Sequence, residues 1–146
     1  MLSYPPVVPS PPSHDELVDA LQRQDPSAAA GDDAVLSLAR AIAAVDEPDR
    51  RALKLACRAT AQRLAAQVPG RTVELRVPPF AAVQCVAGPR HTRGTPPNVV
   101  EAQPLAWLRL VVGALTWADA VRDGRVRASG ERSDLSAHLP FPELRG

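Results

Sequence analysis

Two cysteines, Cys57 and Cys85, and three histidines, His14, His91 and His138, are the side chains here best suited to nucleophilic, acid–base or metal chemistry. Neither cysteine belongs to a CxxC pair. No histidine stands at ligand spacing from another histidine, a cysteine or a carboxylate, so the pattern predicts no metal site. A cysteine nucleophile needs a base within reach and an electropositive, partly exposed setting. Cys85 instead follows Val83 and precedes Val86 in a short alternating run, the surroundings of a small buried thiol, so a Cys85–His91 pair is the weaker reading. The chain has no GxSxG elbow, phosphate loop or dinucleotide fingerprint. These residues predict a protein that is not an enzyme and uses no cofactor.

Two binding constellations stand out. Arg90, His91, Arg93 and Thr95, with Asn98 beyond them, concentrate donors around glycines that let backbone amides approach an anion, such as a carboxylate or phosphate head group. The plainer reading is a surface loop whose arginines pair with Glu101 or nearby acids. Phe80, Val83, Cys85, Leu105, Trp107, Leu108, Val111 and Trp117 form the second set, which could line a hydrophobic pocket. Ordinary core packing competes with it, because apolar helical stripes are mostly core.

The elements that must position these residues follow from periodicity and caps. Residues 1–12 carry five prolines and read as a disordered Pro-rich tail. Residues 13–47 read as an N-terminal helical extension. Ser13 and Glu16 make a capping box for a helix that stops at Asp25-Pro26, and Val35, Leu38, Ala39 and Ile42 stripe a second over 33–45. Leu17, Val18 and Leu21, if exposed, would mark a face for docking a partner. Pro48 at the first helical position then opens the strongest helix, with Leu53, Ala56, Cys57, Thr60, Leu64 and Val68 on its inner stripe. Thr72 to Val77 alternates as a strand, and 81–86 forms another that pairs with it. Val99 to Glu101 gives a third short strand. Pro104 opens a helix whose only polar residue is Arg109, and which must therefore be buried or line a cavity; Gly113 caps it. Thr116 caps a short helix, residues 125–129 form a strand with Val126 and Ala128 inward, and Ser133 caps a last helix that Pro140 ends. Residues 141–146 are a C-terminal tail.

Trp117-Ala118-Asp119-Ala120-Val121, followed by Gly124, Val126, Gly130-Glu131, Leu135 and Leu139-Pro140, resembles the closing signature of sterol-carrier-type domains. Residues 77–85 and 88–101 resemble the bacterial, actinobacterial orthologues of that family more specifically, so the resemblance covers residues 48–140. It implies an α+β layered fold, a mixed curved sheet of about five strands packed against helices and able to enclose a hydrophobic tunnel. It further implies binding of a lipid, fatty acyl chain or other hydrophobic small molecule, although fold alone does not choose between carrier and appended domain. The alternative is a protein-interaction or scaffold module without a small-molecule ligand.

Composition narrows the partners. Formal net charge is +1, from 17 basic and 16 acidic residues, so no global field draws the chain to nucleic acid. No segment reaches the roughly 18 apolar residues of a spanning helix, and no leader is legible, which predicts a cytoplasmic protein without integral membrane association. A homodimer or a partner protein is compatible with this reading.

Overall fold

The computed structural model describes residues 10–88 and 98–145. Helix α1 (His14–Gln24) begins in the expected capping box: Glu16 N donates to Ser13 Oγ at 3.2 Å and Ser13 N donates to Glu16 Oε2 at 2.8 Å. Helix α2 (Ala34–Ala43) starts at Asp33, whose carboxylate accepts from Leu36 N. Helix α3 (Arg50–Gln67) is capped by Asp49, which accepts from Ala52 N at 2.9 Å. Pro48 therefore lies before the cap rather than at the first helical position, because an aspartate satisfies an orphan amide that proline leaves untouched.

Strands β1 (Val73–Val77) and β2 (Ala81–Cys85) pair antiparallel as expected, with Val73 opposite Cys85 and Val77 opposite Ala81. Strand β3 (Asn98–Ala102) pairs parallel with β1, and β4 (Val126–Ser129) antiparallel with β3. Helix α4 (Pro104–Val112) and the short α5 (Trp117–Arg122) join β3 to β4. The sheet order is β2-β1-β3-β4, so among the described residues the mixed sheet has four strands rather than about five.

The pleat separates two faces. Val73, Leu75, Val77, Cys85, Val100, Ala102 and Val126 are buried toward the helices, whereas Arg76, Ala82, Gln84, Glu101 and Arg127 are exposed on the other side. Ala128, expected inward, is exposed: β4 buries only Val126, because as a short edge strand it leaves the helical layer after its first residue. The expected last helix is instead a 3₁₀ turn, Ser136–His138, followed by a second, Pro142–Leu144. Ser133 turns its hydroxyl back to Gly130 O at 2.8 Å instead of capping a helix, and only six residues separate it from the peptide at Leu139-Pro140.

Helices α1 and α2 pack onto this frame. Leu17 and Leu21 are buried, and Leu38 and Ile42 of α2 have no exposure at all within the same apolar cluster as the α3, α4 and sheet residues. Leu17 and Leu21, which would mark a docking face if exposed, are thus spent inside the chain, and Val18 is half-buried against the same cluster.

Candidate functional site

Helix α4 is the centre of the apolar layer. Its one polar side chain, Arg109, reaches back to the C-terminal end of α2. Nε donates to Ala43 O and Nη2 to Val45 O, each at 3.1 Å, and Nη2 also pairs with Asp46. Ala43 O belongs to the last residue of α2, where the backbone lacks internal donors and carries partial negative charge, and Val45 follows the Ala44 cap. The remaining side chains face apolar neighbours, and Gly113, at φ 82°, closes the helix in a left-handed conformation that a Cβ would strain.

Trp107 is fully buried. Its indole N–H donates to Thr60 Oγ1 at 2.8 Å, and that hydroxyl donates onward to Ala56 O at 2.7 Å within α3. Its ring meets Phe141 edge to face, with centroids 6.3 Å apart and planes at 73°. Leu108, Val111 and Cys85 are also fully buried, and Phe80 nearly so. Val83, Leu105 and Trp117 are half-buried against the same cluster. All eight residues therefore belong to the apolar cluster of the described core, with the tryptophan's polar atom satisfied. Sequence reasoning placed Thr60 on the buried stripe but not as the tryptophan's partner; a hydroxyl on an otherwise apolar face was the available signal.

Of the polar head-group set, Arg90, His91, Arg93 and Thr95 lie outside the described residues. Asn98 is described, and both ends of its amide are engaged. Nδ2 donates to Thr72 O at 3.0 Å and Oδ1 accepts from Arg132 N at 3.0 Å, tying the start of β1 to the turn after β4. Gly130 makes room for it: a Cβ there would stand 2.4 Å from Asn98 Oδ1.

A groove of about 190 Å³ opens where β3 runs into α4. Pro78, Ala102 and Pro104 give it apolar walls, and Glu101, Arg125 and Arg127 charge its rim. None of the eight apolar-layer residues lines it.

Both thiols are unsuited to nucleophilic work. Burial pushes Cys57 up to about 12 and Cys85 up to about 11, so each is protonated near neutrality, and the Cys57 sulfur points at Pro104 O, 3.7 Å away. Among the described residues no group of three histidines, cysteines or carboxylates could hold a metal ion, and no helix is long and apolar enough to cross a membrane.

No curated protein matches this chain. The family model described as the bacterial SCP orthologue, SCP standing for sterol carrier protein, matches residues 49–141, nearly two-thirds of the sequence, from the cap of α3 through the Phe141 that packs on Trp107. The matched span contains the whole described sheet, α3, α4 and α5, and on that match the chain belongs to the family of bacterial sterol carrier protein orthologues.

Proposed function

We propose that this protein binds a hydrophobic small molecule, a lipid, fatty acyl chain or similar, without catalysing its conversion. Family membership over residues 49–141 carries the reading. The apolar layer around Trp107, walled by the sheet on one side and by α3 and α4 on the other, supplies the matching chemistry. Burial of ligand surface there would contribute about 25 cal/mol per Å², less the cost of immobilising the ligand. The protonated thiols support a noncatalytic role, since neither is poised as a nucleophile. The protein acts in the cytoplasm on this reading.

One observation favours a second reading, a scaffold or interaction module without a ligand. Trp107 already meets Thr60 and Phe141, so a ligand seated beside it must displace side chains that now fill the layer. Native mass spectrometry of protein purified without detergent, combined with displacement of a fluorescent fatty acid, separates the two. A co-purified hydrophobic ligand and saturable probe binding are expected; protein that carries nothing and binds no probe sinks the carrier reading in favour of the scaffold.

A further inference from the structure

The groove where β3 runs into α4 brings two arginines to a pair of prolines, and the chain itself leaves both guanidiniums unused. All eight residues that line it lie within the described segments. Arg125 is fixed there by its backbone. Gly124 turns the chain out of α5 at φ 73°, after which Arg125 N donates to Ala120 O at 2.9 Å and Arg125 O accepts from Gln103 N at 3.0 Å. Arg127 stands two residues on, and Val126 between them is buried. The described segments contain all 16 acidic residues of the sequence, yet none pairs with Arg125 or Arg127, and neither guanidinium has a hydrogen-bond partner among the described residues.

The rest of the lining says which anion would suit. Glu101 is the one carboxylate on the rim, opposite Arg127 of β4 and Arg76 of β1 in the strand registers, and Arg76 already grips Glu74 at 3.0 and 3.1 Å. Two guanidiniums against one carboxylate favour a monoanion, because Glu101 opposes a second negative charge such as that of phosphate. Arginine forks match a carboxylate in particular. Size limits the remainder of the ligand. Drug-sized molecules occupy pockets of about 300–1,000 Å³, whereas a cavity of about 150 Å³ takes a benzene ring. A groove of about 190 Å³ therefore suits one ring and not a lipid. Pro78 and Pro104 offer the flat apolar faces that pack on aromatic rings, over a floor of buried Ala102.

We propose that this groove binds a small aromatic carboxylate, its ring against Pro78, Pro104 and Ala102 and its carboxylate on Arg125 and Arg127. The site is separate from the apolar layer around Trp107, whose residues do not line it.

The test is a nuclear magnetic resonance titration of the isotope-labelled full chain with benzoate. Saturable shifts are expected at the amides of Ala102, Gln103, Gly124 and Arg125, with the Trp107 indole N–H unmoved and a dissociation constant in the millimolar range usual for so small a ligand. Benzyl alcohol, which keeps the ring and loses the charge, should bind about tenfold more weakly or worse, and so should acetate, which keeps the charge and loses the ring. Arg125→Gln with Arg127→Gln, both exposed positions, should leave the rest of the spectrum in place and weaken benzoate by about tenfold or more, while Arg51→Gln on α3 should not weaken it. Shifts that never saturate, or that centre on the Trp107 indole, overturn the proposal. So does equal binding of benzyl alcohol, acetate or inorganic phosphate, or a double variant that binds benzoate as the parent does.

Discussion

Trp107 illustrates how a single residue divides its roles. Most of its contribution is apolar area, but its indole N–H would be an unsatisfied donor in the layer without the Thr60 hydroxyl. Replacement by phenylalanine keeps the bulk and loses that bond, and should cost about 1–2 kcal/mol in chemical denaturation. Trp107→Ala should cost about 3–5 kcal/mol, because the surrounding core collapses only partly into the space left. The thiols make a prediction in pH. Their folded-state values are raised above the ordinary 9.0 by burial, so the stability they contribute is fully present below pH 9 and is lost as pH rises toward 11 and 12. Alkaline unfolding followed by fluorescence should shift upward in pH in Cys57→Ala relative to the parent, once the difference in neutral stability is subtracted. The buried thiol was legible in the sequence from its apolar neighbours. Its approach to Pro104 O was not, because 47 residues separate the two.

At the scale of elements, ion pairs and caps decide which helices meet. Asp33 does two things: it caps α2 through Leu36 N and grips Arg63 of α3. The Arg63 bonds, opposed by partial desolvation, hold its carboxyl below the ordinary 3.8. A lowered folded value means that the contribution is present above pH 3.8 and disappears as pH falls through the folded value. Asp33→Asn should therefore be less stable than the parent at neutral pH, by no more than about 1 kcal/mol because solvent screens a carboxylate that is over a third exposed, with the gap narrowing below pH 4. Urea melts at pH 7 and pH 3 check this directly. Arg109 plays the corresponding part between α2 and α4. Arg109→Lys keeps the charge but cannot reproduce a fork that serves two carbonyls and a carboxylate, so it should lose nearly as much stability as Arg109→Met, about 1–3 kcal/mol for either. The helices, β1, β2 and the Gly113 and Thr116 caps were readable from period and spacing. The inward turn expected of Ala128 and the helix expected after Ser133 were not realised, since both depended on how far β4 stays under the helical layer.

The whole molecule joins what the sequence separates. Residues 49–141 define the family, yet Leu17, Leu21, Leu38 and Ile42 lie before them and pack into the same cluster as Trp107 and Leu108. A fragment beginning at Pro48 would expose the sides of α3 and α4 that α2 covers and remove the acceptors of Arg109. It should melt well below the full chain or aggregate, which thermal denaturation and light scattering of the two proteins would show. A fragment as stable as the full chain would reduce α1 and α2 to a dispensable appendage.

The sequence by itself determined the α+β class, the position of most helices and strands, the family, and the apolar set around Trp107, because these follow from local period, caps and short contiguous motifs. Tertiary structure alone decided that Thr60 satisfies the tryptophan, that Asn98 is committed to Thr72 and Arg132, and that Leu17 and Leu21 face inward. It also decided that Arg58 of α3 donates to Phe80 O at the start of β2, the last strand in the described sheet. Each of these depends on which distant segments meet. Local spacing can give a residue its face, but the partner on that face is set by the order in which strands and helices assemble.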